Sequence, residues 1–122
     1  MAGLSYNTLN DELAKRVPEL SSAVAGFLQQ WDDEPGPHVV FGDLLVPYLE
    51  RAARGQSRSP GVAAALDLLE DMVASFDDDE IRNVAGASVL EPLSGNPEAW
   101  SALRALMGPH TRRLADQIEG KS

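Results

Sequence analysis

The chain has 122 residues, the usual size of one domain with a single hydrophobic core. It carries 19 acidic and 10 basic residues, for a formal net charge of −9, and this negative charge disfavours binding to nucleic acid or to an anionic membrane. Because the chain contains no cysteine, disulfide bonds, thiolate catalysis and cysteine-ligated zinc are excluded.

Apolar residues recur at helical spacing along most of the chain, and proline, glycine and asparagine stand where helices should begin and end. The first helix is predicted over residues 8–16, with Asn7 or Asn10 as its cap. The second is predicted to start at Pro18, in its first turn, and to carry its apolar stripe as far as Trp31.

A third helix is predicted from Pro37 to Gly55, and apolar residues on more than one of its sides indicate burial against several neighbours. The β-branched residues of the segment HVVF make a strand the alternative there. A helix is favoured, with a kink or a break at Pro47, because a proline inside a helix removes one backbone hydrogen bond. After the connector GQSRSPG, a fourth, amphipathic helix is predicted from Pro60 to Phe76.

A run of four acidic residues comes before the fifth predicted helix: Asp77, Asp78, Asp79 and Glu80. Asp77 or Asp78 is predicted to cap this helix, which should end at Pro92. The other acids lie at the start of the helix, where the positive end of the helix dipole stabilises negative charge. A sixth helix, capped by Asn96, and a seventh, after a break at Gly108, complete the chain.

These helices and the absence of any hairpin signal predict a single all-α domain over residues 1–122. About six or seven short helices with short turns favour antiparallel neighbours, arranged either as an irregular bundle or as stacked helix pairs like a solenoid. Both tryptophans, Trp31 and Trp100, are predicted to lie in the core. Gly26, Gly42 and Gly86 lie inside predicted helices and are interpreted as points of close helix packing.

No catalytic motif accompanies the two histidines of the chain, so no enzymatic activity is predicted. His38 and His110 each follow a proline and are interpreted as polar residues in the first turn of a helix. The enzymatic alternative is a carboxylate base near His38, and it requires a concave pocket that holds His38 and Asp43 together.

No cofactor or metal is predicted, since the chain has neither a phosphate-binding loop nor a dinucleotide fingerprint. The acidic runs lack the central glycine of a calcium loop. Carboxylates at helical spacing, such as Asp67 with Glu70 or Asp71, indicate adventitious metal binding at most.

The segments PHVVFGDLLVPYLE and DDDEIRNVAGASVLEPL, separated by a long amphipathic helix, resemble a family of small, all-helical bacterial proteins. The resemblance covers roughly residues 10–95, and it implies an immunity protein for a polymorphic or contact-delivered toxin, without a catalytic role. The positions that match the family's motifs are Phe41, Gly42, Asp43, Asn83, Ser88, Glu91 and Leu93. A structural interpretation has Asn83 and Asp43 hydrogen-bonded together in the core, where Phe41 packs.

Two functional hypotheses follow, both for a cytoplasmic protein, since no signal peptide or membrane span is predicted. In the first, an immunity-type inhibitor binds one basic toxin through two acidic runs: Asp32, Asp33, Glu34, Asp77, Asp78, Asp79 and Glu80. If both runs share a face, this face lies opposite a basic tail made of Arg104, Arg112, Arg113 and Lys121. In the second, the chain is a scaffolding or adaptor module that acts through homo-oligomerisation, and the acids are only a solvated surface.

Overall fold

The computed structural model describes residues 4–31, 33–55 and 60–120, and none of these residues forms a strand. The predicted connector at residues 56–59 lies outside these ranges, as do Asp32 and Lys121. Two short 3-10 turns, Tyr6–Thr8 and Pro18–Leu20, lead into the first two helices. The helical elements are α1 (Leu9–Arg16), α2 (Ser21–Leu28), α3 (Pro37–Val40), π1 (Phe41–Leu45), α4 (Val46–Arg54), α5 (Pro60–Val73), α6 (Asp79–Asn83), π2 (Val84–Leu90), α7 (Glu91–Ser94), α8 (Pro97–Arg104) and α9 (Pro109–Ile118).

Two sets of these elements are continuous with one another. We call α3, π1 and α4 the first long helix, and α6, π2 and α7 the second long helix. With α1, α2, α5, α8 and α9, the described ranges therefore contain seven helices, and the all-α prediction is confirmed. None of these helices is both long enough and apolar enough to cross a lipid bilayer.

Side-chain caps start two of the helices where the sequence predicts them. The carboxylate of Asp78 accepts from the backbone N–H groups of Glu80 and Ile81, and the amide oxygen of Asn96 accepts from the N–H of Ala99. The predicted cap of α1 is wrong. Asn10 is instead a buried residue within α1, and its amide donates to the carbonyl oxygen of Pro35 at 3.0 Å.

Each π segment ends two residues before a proline. The N–H of Val46 donates to the carbonyl of Phe41, and the N–H of Glu91 donates to that of Gly86, so both bonds reach back five residues. The next residues, Pro47 and Pro92, have no N–H to donate, and the wider turn makes room for their rings. The kink or break predicted at Pro47 is therefore a π turn within a continuous helix. The strand alternative for HVVF is wrong, because these residues are helical. The second long helix runs past Pro92 to the end of α7.

The buried apolar side chains form one contiguous core around the first long helix, which packs against the second long helix and α8. Phe41 and Leu93 are fully buried in it, and Trp100 is confirmed as a core residue with 8% exposure. The two long helices come close at Gly42, where a Cβ atom would lie 3.4 Å from the backbone oxygen of Ser88. The close-packing interpretation of Gly26 is wrong, since nothing lies within 4 Å of its Cβ position.

Three large apolar residues lie on the surface because their helices end earlier than the periodicity predicts. Trp31 is 47% exposed, so its prediction as a core residue is wrong: α2 ends at Leu28, and the Trp31 ring contacts Phe27 from the following turn. Phe76 is 61% exposed after the end of α5, and Leu106 is 47% exposed after the end of α8. These residues are candidates for contact with a partner.

Candidate functional site

An open groove of about 450 Å³ runs between the second long helix and α9. Acidic side chains mark its two ends, Asp79 and Glu80 in α6 and Glu91 in α7. Its middle is apolar, with Leu114 and Ile118 on the α9 side. The full lining is Asp79, Glu80, Arg82, Asn83, Gly86, Ala87, Glu91, Leu114 and Ile118.

Helical spacing places the lining residues in two facing rows. Asn83, Ala87 and Glu91 recur every four residues on the second long helix, and all three are exposed. Leu114 and Ile118 have the same spacing on α9. Gly86 is buried between the rows, and a Cβ atom there would lie 3.5 Å from the tip of Leu114. Gly86 therefore forms the floor of the groove, and a methyl group at this position would meet Leu114 at an ordinary contact distance.

Helix α9 is fixed in place by Glu70 of α5. The Glu70 carboxylate accepts from the backbone N–H groups of His110 and Thr111, each at 3.0 Å, and from the hydroxyl of Thr111 at 2.8 Å. Burial raises the pKa of Glu70, but these hydrogen bonds outweigh it and hold the pKa below the ordinary value. A Cβ atom on Gly108 would lie 2.5 Å from this carboxylate, so a glycine at this position keeps room for the cap.

Glu70 is a residue whose role the sequence interpretation missed. The start of α9, GPHT, offers no side-chain cap at Gly108, so its first N–H groups need an acceptor from another element. That uncapped start was the one signal in the sequence. It shows that an acceptor is needed, but it does not identify Glu70.

The other side of α9 is tied to α8. Glu119 accepts a hydrogen bond from the indole N–H of Trp100 at 2.7 Å and pairs with Arg104 at 3.2 Å, and Arg104 also pairs with Asp116. Arg104 of the predicted basic tail is therefore already neutralised by α9. Arg113 borders a small cavity that shares Arg82 and Leu114 with the groove, so it lies beside the acidic groove and not opposite to it.

An exposed aromatic cluster adjoins the groove. The Arg82 guanidinium lies 5.3 Å from the centre of the Phe76 ring, and the His110 ring meets Phe76 edge-on at 5.2 Å. Arg82 also donates to the backbone oxygen of Val73 at 3.2 Å. These contacts hold the only basic side chain of the groove lining against Phe76 and leave three carboxylates at the groove's ends.

The four acids before the second long helix have different roles. Asp78 is the predicted cap, Asp79 and Glu80 line the groove, and Asp77 is exposed. The other acidic run lies by α1, where Glu34 accepts from Asn10 at 3.3 Å. Asp33 is exposed in that run. That the two runs share one face stays a prediction.

Most of the motif positions lie in the core or at the groove, and Asp43 is exposed outside both. Phe41 and Leu93 are buried, and Gly42 packs against Ser88, whereas Asn83 and Glu91 line the groove. The interpretation that Asn83 and Asp43 hydrogen-bond in the core is wrong, because both residues are exposed on different long helices.

The two histidines lie in the first turns of α3 and α9, as predicted. The Nδ1 atom of His38 is 2.6 Å from the hydroxyl of Ser88. Asp43 is exposed, and neither His38 nor Asp43 lines the groove or the small cavity beside it. The pocket required by the enzymatic alternative is thus not found at these two cavities.

Two of the three carboxylates considered as metal ligands have protein partners, and the third, Asp67, is exposed. Glu70 caps α9, and Asp71 accepts from the Arg16 guanidinium at 2.6 Å. Across the described part of the chain, no three histidine or carboxylate side chains come together in a way that could hold a metal ion.

Comparisons with known proteins identify the family without naming an activity. No curated protein and no solved structure gives a significant match to the chain. A family model described as a domain of unknown function, DUF7674, matches residues 10–121. This match includes both long helices and every residue of the groove. The chain therefore belongs to the DUF7674 family.

Proposed function

We propose that the chain is a non-enzymatic, immunity-type inhibitor that binds a cognate basic bacterial toxin and blocks it. The observation that carries this proposal is the groove between the second long helix and α9, which combines acidic ends with an apolar middle. The resemblance of the FGD and LEPL segments to toxin-associated immunity proteins supports the same function. Membership in DUF7674 supplies the family and leaves the partner to be found.

Charge supports a basic partner. Asp79, Glu80 and Glu91 place three carboxylates at the groove, and the lining offers only Arg82 against them. The whole chain adds a net charge of −9, which accelerates the approach of a positively charged protein. Long-range attraction and local pairing therefore act in the same direction.

Apolar contact supports a protein partner over a small cation. Phe76 is 61% exposed beside the groove, and Leu114 and Ile118 line it. Protein interfaces derive most of their affinity from a few aromatic or aliphatic anchors surrounded by polar residues. A standard interface of about 800 Å² per partner would cover the groove and Phe76 together.

The test uses the toxin encoded by the gene next to that of this chain, since an immunity protein is useful only beside its toxin. Affinity is measured calorimetrically at low and high salt for the unmodified chain and for the triple variant D79K/E80K/E91K. The matched control D43K/D67K/E98K makes the same change in net charge at exposed positions outside the groove, and Glu98, like Asp79 and Glu80, lies in a helix's first turn.

We expect the groove variant to lose at least about 100-fold in affinity and most of its salt dependence, and the control to lose about threefold or less. Protection of cells that express the toxin should follow the same order. Equal losses in both variants, or no binding by the unmodified chain, would overturn the proposal.

A second candidate function, scaffolding through homo-oligomerisation, is favoured by a different surface. Residues 20–31 contain no charged residue, and Trp31 at their end is 47% exposed against the Phe27 ring. This segment itself carries no charge that would oppose contact with a second copy, and the acidic run begins directly after it. Sedimentation equilibrium separates the two candidate functions. Scaffolding is favoured if the unmodified chain forms a dimer, if Trp31→Glu dissociates this dimer, and if Leu106→Glu leaves it intact. A monomer at all concentrations would exclude it.

A further inference from the structure

The charges of the groove are ordered along its length. Asp79 and Glu80 lie at the start of the second long helix, and Glu91 lies 12 residues beyond Asp79. At the α-helical rise this separation is at most about 18 Å. Between the two acidic ends, Arg82 and Asn83 follow the first end, and the rest of the lining is apolar: Gly86, Ala87, Leu114 and Ile118.

The groove is open along one side, so an occupant inserts one row of side chains into it. It offers about 450 Å³ over a length of about 18 Å. An extended chain that inserts one row of side chains fits within it.

We propose that the occupant is an extended segment of the partner with a basic, apolar, basic pattern on one face. In an extended chain, alternate side chains point to the same side and successive residues rise about 3.3 Å. Two cations six positions apart are then about 20 Å apart, which matches the acidic ends, and two apolar side chains between them face Leu114 and Ile118. This assignment rests on the proposed function, because it specifies which part of the toxin enters the groove.

The surroundings of Arg82 support this pattern. Arg82 is the basic side chain nearest to Asp79 and Glu80 in the groove lining, yet it stacks on Phe76 and donates to the backbone of Val73. Within the part of the chain that the structure describes, neither Asp79 nor Glu80 forms an ion pair with Arg82, and both residues are exposed. A cation from a partner can therefore pair with these carboxylates without displacing Arg82.

The experiment compares two capped peptides of identical composition on the unmodified, ¹⁵N-labelled chain. The first reads lysine, serine, leucine, serine, leucine, serine, lysine, so its lysines and leucines share one face. The control reads lysine, leucine, serine, serine, serine, leucine, lysine, so its lysines keep their places and its leucines move to the opposite face. Backbone amide shifts are followed during titration with each peptide.

We expect the first peptide to bind at least about tenfold more tightly than the control and to shift the amides of Glu80, Ala87, Leu114 and Ile118. The variant D79K/E80K/E91K should lose these shifts, and D43K/D67K/E98K should keep them. Equal binding of the two peptides, absence of binding by both, or shifts confined to other surfaces would overturn the inference. Because both peptides are tested on the unmodified chain, a misfolded variant cannot produce or hide the result.

Failure of this inference can be told apart from failure of the proposed function. If the toxin binds through the groove but the two peptides bind equally, the pattern is wrong and the inhibitor function stands. If the peptides differ as expected but the toxin from the neighbouring gene does not bind, the groove's preference stands and the inhibitor function fails.

Discussion

Both long helices contain a π segment, but the two segments have different surroundings and different roles. Each contains a π segment that ends two residues before a proline, and π1 and π2 pack against each other. Phe41 of π1 is fully buried, whereas Ala87 of π2 is exposed in the groove. A π turn therefore does not mark a binding site by itself. The neighbouring helix decides, because α9 stands beside π2 and makes the groove's second wall.

The largest expected effect tests whether π1 is a structural element. Phe41→Ala should lower the free energy of unfolding by about 3–5 kcal/mol, because it leaves a cavity in the core. Ala87→Ser, at the exposed face of π2, should change it by about 0.5 kcal/mol or less. Urea denaturation followed by circular dichroism measures both, and similar losses would break the comparison.

The next largest effect concerns α9, the groove wall that lies beside π2 and not beside π1. Glu70→Ala should cost about 1–3 kcal/mol, because the N–H groups of His110 and Thr111 lose their acceptor at the start of α9. Glu70→Gln keeps an amide oxygen as acceptor and should cost less. Hydrogen exchange should accelerate in α9 and not in the first long helix; uniform acceleration would show that Glu70 supports the whole core.

Lowering the pH should weaken the attachment of α9 to Glu70. Burial alone would raise the pKa of Glu70, but the hydrogen bonds from Thr111 and His110 lower it overall, so the folded chain holds this proton less tightly than the unfolded chain. Its contribution to stability is complete above the unfolded pKa, about 4.3, and is lost as the pH falls towards the folded pKa. Unfolding free energies measured from neutral pH downward should fall less steeply in Glu70→Gln. Parallel curves would contradict this role.

A smaller effect distinguishes Asp78, which caps the second long helix, from the other acids of the same run. Asp78→Ala removes the acceptor for the N–H groups of Glu80 and Ile81 and should cost about 1 kcal/mol. Asp77→Ala, one position earlier and exposed, should change stability by about 0.5 kcal/mol or less. Thermal unfolding of the two variants measures the difference, and equal losses would mean that the acidic run acts through its total charge.

The smallest effect compares the glycines of the two π segments. Alanine is favoured over glycine in helices by about 0.5–1 kcal/mol, so Gly86→Ala should stabilise the fold by up to that amount, since its Cβ meets only the flexible tip of Leu114. Gly42→Ala should gain less, because its Cβ meets the rigid backbone oxygen of Ser88. Denaturation midpoints measure both. A larger gain in stability from Gly42→Ala than from Gly86→Ala would contradict the inference that Gly42 is the more tightly packed of the two glycines.

Much of the fold was predictable because its signals are local. Asp78 and Asn96 bond to N–H groups two or three residues away, and prolines stand in the first turns of α3, α8 and α9. The candidate site was predictable only in part. The surplus acids Asp79 and Glu80 were identified, whereas nothing in the sequence marked Leu114 and Ile118 of the last helix as a groove wall.

The sequence by itself determined the all-α class, the order of the seven helices and most of their starts, since helical periodicity and capping act within a few residues of the chain. Only the tertiary structure decided that Trp31 is exposed, that Asn10 bonds to Pro35, and that Glu70 caps α9. Each of these depends on which surfaces meet after the helices pack. The same holds for the groove, whose two walls come from segments more than 20 residues apart in the chain.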